Sequence, residues 1–438
     1  MHICVRAHEP WQSTANHMED KPLTQPRQGL QSASTDNVDL TTFGSCVTEP
    51  AMPTYCVRFI PSITDVDSLT WNCLTGSGYP FLQHEFLLAL EQSGCTNIQT
   101  GWQPLHALVE TNTEINPRLI ACMPLFAKTN SMGEYVFDWS WADAYQRHGL
   151  AYYPKLVTAI PFTPCAGPRI CIAAGVSPET IHQLLFAQIQ KLAAKIHASS
   201  WHVLFPEPEL ALSLSNLNLL QRSGCQYQWF NADYACFDEF LATFSSRKRK
   251  NLRKERMNIA EQGIVFEQLE GNAIHADHWQ HFYQFYQSTY LVRGRAPYLN
   301  EQFFTELGRS MPQHLLLVMA RKADHYIAGA LFFKGEDTLY GRYWGCTEEM
   351  QFLHFETCYY QGIDYCITHG ISRIDSGAQG EHKIQRGFKP VNTRSSHWIA
   401  HPDFSGAIAS FLQEETQHIN DYLQSAAQGL PFRKDLKL

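Results

Sequence analysis

No stretch of this chain reaches the ~18–20 consecutive apolar residues that a bilayer-spanning helix requires. The longest runs, such as Leu315-Leu316-Leu317-Val318-Met319-Ala320, have the length of a strand. Residues 1–10 contain His, Arg and Glu but no apolar segment, so no secretory signal is expected. Excess positive charge is also missing: 34 Lys and Arg stand against 42 Asp and Glu, a formal −8. That balance excludes a general nucleic-acid coat and a polybasic membrane binder. The 13 cysteines include no C-x-x-C pair, which leaves no support for a zinc knuckle or a dithiol centre. Cys122, Cys171, Cys358 and Cys366 have apolar neighbours, as buried thiols acting as small hydrophobes do. Free thiols in this number fit a reducing cytoplasm. The glycine signatures of P-loop and dinucleotide-binding proteins, the G-x-S-x-G elbow and H-E-x-x-H are all absent. His278-x-x-His281 reads as a solvated pair on a helix, so no metal site is expected.

The 438 residues suffice for two or three domains. Residues 1–53 are rich in Pro, Ser, Thr, Gln and Asn, with Trp11 and Phe43 as the only aromatics. Such a segment cannot offset its ordering entropy by burial and reads as a disordered extension. From Tyr55 a mixed α/β pattern begins and occurs twice, over 54–236 and 237–438. The second copy is the clearer. A strand, Ile264–Leu269, precedes helices around Trp279–Tyr290 and Glu301–Ser310; a meander, Leu315–Arg321, Tyr326–Lys334 and Thr338–Gly345, follows. Apolar residues from Phe355 to Ile367 repeat at i, i+3, i+4, Gly370 marks the stop, and a strand runs from Ser372 to Asp375. The first copy repeats this order with Cys56–Ile60, a helix around Phe86–Leu90, a meander of Leu105–Glu110, Leu119–Phe126 and Glu134–Trp139, a helix at Pro178–His197 and a strand at Trp201–Phe205. Its Pro-rich middle, 152–172, departs from the pattern.

Residues 245–256 contain seven basic residues and one acidic residue, a net +6 that leaves −14 for the rest of the chain. The segment 245–262 reads as a helix with Ser245 at its start and Gly263 as the stop. At ~100° per residue, Arg247, Arg249, Lys250, Arg253, Lys254 and Arg256 share one half of the circumference, with Leu252 and Ile259 on the other. Like charges on one face, with Glu255 as the sole nearby acid, point to an anionic partner such as the phosphates of a nucleotide, coenzyme A or RNA. A second constellation follows the strand ending at Asp375: Gly377-Ala378-Gln379-Gly380-Glu381-His382-Lys383, then Arg386-Gly387-Phe388. Glycines permit close backbone approach, and ligands of α/β sheets bind at the carboxyl ends of strands. In Tyr340-Gly341-Arg342-Tyr343-Trp344, alternation places Gly341 and Tyr343 on one face and Arg342 and Trp344 on the other. His354-Phe355-Glu356 completes a third cluster.

These strings resemble a known family. Phe244 to Lys254, followed by Gly263 and a strand, is similar to the segment opening the second acyltransferase domain of FemAB-like proteins. So are the helix His354–His369, the strand ending at Asp375, and Lys383 with Arg386-Gly387-Phe388. Leu339 to Gly345, His354-Phe355-Glu356 with Tyr359-Tyr360, and Gly377 to Lys383 resemble a bacterial family of predicted N-acyltransferases described as FemAB-like, of peptidoglycan biosynthesis/recognition type. Gly101-Trp102-Gln103-Pro104, Gly133 to Trp139 and Tyr152-Tyr153-Pro154-Lys155 agree as well, so the likeness covers about 55–400.

The resemblance implies two tandem GNAT-like acyl-CoA N-acyltransferase domains. It implies transfer of an acyl or aminoacyl group from a thioester or tRNA ester to an amine acceptor, such as a small molecule, a peptide or a peptidoglycan precursor. The rival reading is a non-catalytic module binding tRNA or a wall precursor. Cys346 to Gln351 lacks the glycines of the usual [RQ]-x-x-G-x-[GA] coenzyme A loop, so aminoacyl-tRNA stands beside acyl-CoA as donor, with no tightly bound cofactor. Acyl transfer to an amine needs a base and donors for the oxyanion. Glu381, His382 and Glu356 are candidate bases, and Tyr343 a candidate proton donor to the leaving group. Arg247, Arg249, Lys250, Arg253, Arg342, Gln379, Lys383 and Arg386 are candidates for holding substrate phosphate or carboxylate. A cytoplasmic location and no DNA partner are expected.

Overall fold

The computed structural model describes residues 55–112, 117–378 and 380–435; the extension 1–53 lies outside them. The first copy contributes β1 (Tyr55–Ile60), β2 (Trp102–Pro104), β3 (His106–Thr111), β4 (Leu119–Met123), β5 (Phe126–Lys128), β6 (Lys155–Thr158), β7 (Cys171–Ile172), β8 (Ser200–Leu204) and β9 (Leu220–Phe230). The second contributes β10 (Ile264–Glu270), β11 (Leu315–Lys322), β12 (His325–Lys334), β13 (Thr338–Cys346), β14 (Arg373–Ala378) and β15 (Lys389–Ile399). The β10–β13 meander and the helices Ala276–Leu291 and Glu301–Ser310 match their expected spans closely. Continuous apolar composition makes β11 a strand buried along most of its length.

Each half of the chain is a mixed α/β unit with one parallel strand pair. β13 pairs with β14, and β6 with β8, each over only three residues. The two units share one 11-stranded sheet, ordered β10-β11-β12-β13-β14-β9-β15-β8-β6-β5-β2, with a separate sheet β1-β3-β4-β7. Strands from the two halves of the sequence interleave: β9 lies between β14 and β15, and β15 pairs in turn with β8. An aromatic core crosses between them, with Phe81 packed 4.9 Å from Phe333 and Phe86 5.7 Å from Phe303.

Two first-copy expectations are corrected. Glu134–Trp139 is not a strand. Gly133 and Tyr135 take left-handed backbone at φ 78 and 61, and Trp139 begins a helix ending at Arg147. This turn aims both Glu134 and Asp138 inward at Lys155. Leu119–Phe126 divides at Pro124-Leu125 into β4 and β5, which belong to different sheets. In the second copy the expected helix runs Leu353–Phe355, then a π-turn Glu356–Tyr360, then Gln361–His369. Gly370, at φ 67, donates its N–H to Cys366 O and ends it as expected.

Candidate active site between the two copies

β13 and β14 pair from Thr338↔Arg373 to Tyr340↔Asp375 and then diverge. Just beyond that point β13 carries a bulge: Leu331 faces Tyr343 and Phe332 faces Gly341, so Arg342 has no opposite residue. The bulge overturns the expected alternation. Arg342 turns to the same side as Tyr343, against the first copy, while Gly341 and Trp344 face the opposite layer, toward Phe332 and His354.

Arg342 forms a buried ion pair with Asp375 at 2.8 Å and donates from Nε to Cys165 Sγ at 3.2 Å. Burial works against the guanidinium, but Asp375 outweighs it and holds its pKa above the ordinary value. Asp375 also accepts the Gly377 N–H at 2.9 Å, which fixes the first glycine of the turn. Gly377 and Gly380, at φ 78 and 103, swing the chain back, and the 3-10 turn Glu381–Arg386 delivers Lys383 to the end of β14. Its Nζ donates to Ser376 O at 2.9 Å and Gly377 O at 3.1 Å. Burial pushes the Lys383 ammonium down to about 7, opposed by Asp375 and reinforced by Arg342. A lysine with that value populates its neutral amine at pH 7. Tyr343 packs against Tyr286 and Phe304, at 5.7 and 5.6 Å, with Thr163 facing its hydroxyl. Burial raises its pKa, so the phenol stays protonated.

Thr163 and Cys165 come from the Pro-rich segment of the first copy. Tyr79 OH and Arg169 Nη2 donate to Cys165 O at 3.1 and 2.5 Å, and Gln226 Nε2 to Pro164 O at 2.8 Å. Neither residue stands out in the sequence; the departure of 152–172 from the repeat is the signal that points to them. Asp375 is likewise absent from the sequence-based site residues, although it ends the strand.

The other candidates lie elsewhere. Glu356 is buried in the π-turn, where its oxygens accept from Arg256 at 2.9 and 3.2 Å and from Gln361 at 2.9 Å. Burial raises its pKa against the pull of Arg256. Arg386 is spoken for too: it pairs with Glu255 at 2.9 Å and lies 3.3 Å from the Phe355 ring centre. His382 is part-buried, with Nε2 2.9 Å from Tyr359 OH; burial, then Lys383 and Arg386, lower it to about 4. His354 stands between Trp344 and His382, lowered to about 3 chiefly by burial. Both imidazoles are therefore neutral at pH 7. Glu381 is exposed and accepts from Tyr422 OH at 2.7 Å. Gln379 lies outside the described residues. His278 bonds the backbone N–H of His275 at 3.0 Å, and among the described residues no His/Cys/Asp/Glu group is placed to hold a metal.

The basic helix spans Ser246–Glu261, with Leu252 and Ile259 buried as expected; Ser245 occupies the N-cap without a side-chain bond. Its charges are not all free. Lys248 bonds Gln385, Arg253 meets Asp238 at 2.8 Å, and Arg256 turns inward to Glu356 and Asp364. Among the described residues, Arg247, Arg249, Lys250 and Lys254 form no ion pair.

The first copy holds its own ionisable cluster. Lys155 donates to Ser131 Oγ and Glu134 Oε2, each at 2.8 Å, and to Asp138. Tyr152 OH donates to Asp138 at 2.6 Å and lies 3.3 Å from His202 Nε2; His202 Nδ1 is 2.7 Å from His397 Nδ1 on the paired strand β15. Burial raises Glu134 to about 7 and lowers His202 to about 3.

No curated protein matches the chain. Among solved structures, FemX superposes with TM-score 0.49 at 11% identity, covering 78% of this chain and 98% of that one. The C-terminal domain (DUF2156) of a putative lysylphosphatidylglycerol synthetase from Agrobacterium fabrum gives 0.48 at 10% identity, covering 81% and 97%. A tandem GNAT protein from the clavulanic acid biosynthesis pathway gives 0.45 at 10%, covering 80% and 99%. The FemAB-like family model, described as peptidoglycan biosynthesis/recognition, matches residues 62–434. On a match of that extent, the chain belongs to the FemAB-like family.

Proposed function

We propose that the second copy transfers an acyl or aminoacyl group to an amine, at the face where Arg342 and Tyr343 meet the Thr163–Cys165 segment and Lys383 closes the end of β14. The observation that carries this reading is Lys383. It is a buried amine at the mouth of a diverging parallel pair, it has no carboxylate within ion-pair distance among the described residues, and it is held near neutrality. An attacking ammonium must lose a proton before its nitrogen can bond the donor carbonyl, and Lys383 is poised to accept it. Arg342, oriented by Asp375, faces the charge developing on the carbonyl oxygen. As the C–N bond forms, the C–O bond of an ester or the C–S bond of a thioester breaks; the protonated Tyr343 hydroxyl supplies the leaving group's proton and is restored by the second proton that the nitrogen sheds in becoming an amide. The family description favours a peptidoglycan precursor as acceptor. The unpaired Arg247, Arg249, Lys250 and Lys254 favour a phosphate-rich donor, aminoacyl-tRNA or acyl-CoA.

The test incubates the full chain with aminoacyl-tRNA or acyl-CoA and a panel of amines, with products followed by mass spectrometry. Turnover should rise with pH through about 7 as Lys383 deprotonates, and Lys383→Met should abolish that limb while leaving donor binding intact. Donor retention with no turnover on any amine would favour a non-catalytic binding module instead.

A further inference from the structure

Among the described residues, five of the eleven exposed large apolar side chains fall in two short segments. Met132, Phe137 and Trp139 are 39%, 52% and 44% exposed, and Leu291 and Val292 are 59% and 80% exposed. The first three belong to the turn preceding the helix Trp139–Arg147 of the first copy. The other two end the helix Ala276–Leu291 of the second and begin the loop beyond it. Tertiary contacts hold the segments together. Gly133 packs against the Phe162 ring, Phe162 stacks on Tyr298 at 5.1 Å, and Tyr298 meets Tyr290 edge-on at 5.8 Å. The result is two apolar tips, one from each copy, flanking a tyrosine-lined seam.

Charge completes the picture. Residues 287–300 contain no acid, and their two charges, Arg293 and Arg295, are both exposed. In residues 129–142 the only acids, Glu134 and Asp138, are buried on Lys155. On a chain of net −8, the exposed charge within these two segments is that of Arg293 and Arg295, with Asp143 one helical turn beyond Trp139 and Glu301 just past the second segment.

We propose that these tips form a docking surface for an anionic lipid bilayer. Phe137, Trp139, Leu291 and Val292 enter the headgroup–acyl boundary, and Arg293 and Arg295 meet lipid phosphates. Aromatic and aliphatic tips flanked by arginines suit an interface that is apolar on one side and anionic on the other. Leu291 and Val292 offer no ring for base stacking, and two arginines make a poor footing for RNA. The contact is peripheral, because no helix among the described residues is long and apolar enough to cross a membrane. Apolar insertion also distinguishes it from the polybasic binding that the overall charge excludes. The seam between the tips leads through Tyr290 and Tyr286 to Tyr343, so a docked protein turns its interdomain face toward the lipid plane. The inference does not depend on the acyl-transfer reading, and either can fail alone.

The test is co-sedimentation of the full chain with vesicles of phosphatidylcholine alone and of phosphatidylcholine with phosphatidylglycerol. Retention is expected on the phosphatidylglycerol vesicles, with Phe137→Ser/Val292→Ser lowering the partition coefficient ~10-fold or more. Arg293→Ser/Arg295→Ser should remove the preference for the anionic vesicles. These side chains are exposed, so the substitutions leave the core untouched. The proposal is overturned if neither vesicle retains the protein, or if Phe137→Ser/Val292→Ser pellets like the parent chain. It is equally overturned if light scattering shows a dimer that this variant dissolves, which would make the surface a self-interface.

Discussion

The two parallel pairs, β6–β8 and β13–β14, stand at matching points of the two copies and have opposite contents. Beyond β13–β14 the divergence is polar: Arg342 on its bulge, Asp375, and Lys383 returned by the glycine turn. Beyond β6–β8 it is filled by Ile160-Pro161-Phe162-Thr163-Pro164-Cys165, a buried segment that crosses over to line the face of the other copy. The first copy keeps its ionisable groups at the opposite end of its strand, where Lys155 begins β6. There each charge has counter-charges, and burial of Lys155 is outweighed by Glu134 and Asp138, which keep it cationic. Lys383 has only carbonyl oxygens, and burial wins. The number of carboxylate partners, more than burial alone, separates a lysine held as a cation from one held near neutrality.

The sharpest way to break this contrast is to remove each lysine. Lys383→Met should cut turnover about 10²–10⁴-fold, the range of a lost general base, read in single-turnover transfer. Lys155→Met should leave turnover per folded molecule intact and cost about 3–5 kcal/mol in urea unfolding, because Asp138 is left buried without its cation and Glu134 with only the more distant Lys128, at 3.8 Å. An interchange of the two phenotypes would reverse the assignment of the copies.

Matched positions on the second strand of each pair come next. Asp375→Ala strands the buried Arg342 guanidinium and should cost about 3–5 kcal/mol, whereas the buried Val203→Ala should cost about 2 kcal/mol. Comparable unfolding midpoints for the two variants would refute a special role for the ion pair.

A smaller effect separates the copies by pH. His202 is lowered to about 3 and His397 well below its ordinary value, both chiefly by burial. Below about 6.5 the unfolded chain takes up protons that the folded chain refuses, so this contribution to stability falls with falling pH, by about 2 kcal/mol for His202 between pH 7 and 5. Glu134, raised to about 7, has the opposite sign and masks part of the loss. The urea midpoint of His202→Gln/His397→Gln should therefore fall less on acidification than that of the parent chain. Smallest in free energy is the surface effect: Arg249→Glu/Lys254→Glu should weaken tRNA retention and flatten its salt dependence by about 0.7–0.9 for each phosphate no longer neutralised. Unchanged retention in a salt titration would remove the basic helix from donor binding.

Much of the second copy was legible because its signals are local. The meander depends on strands of alternating or continuous apolar residues joined by short turns, and the helix Gln361–His369 on a 3.6 period with Gly370 behind it. Lys383, Arg342 and Tyr343 were legible as chemistry, but their grouping was not. Alternation put Arg342 and Tyr343 on opposite faces, and the bulge that reunites them depends on the register of β12. Glu356 and Arg386 read as free site residues because their partners, Arg256 and Glu255, lie 100 and 131 positions away. The turn Gly133–Trp139 reads as a strand for a similar reason: its acids face inward only because Lys155 is there to meet them.

Composition, apolar periodicity and glycine placement determined by themselves that this is a duplicated α/β chain with a concentrated cationic helix and a glycine-turned basic loop, since each depends on neighbours within a turn or a strand. Tertiary structure alone decided which copy keeps unpaired ionisable groups, how β9 and β15 interleave, and which cations find carboxylates. Those outcomes depend on charges and dipoles brought together from distant positions, where a few ångströms of separation and the loss of water set the energy.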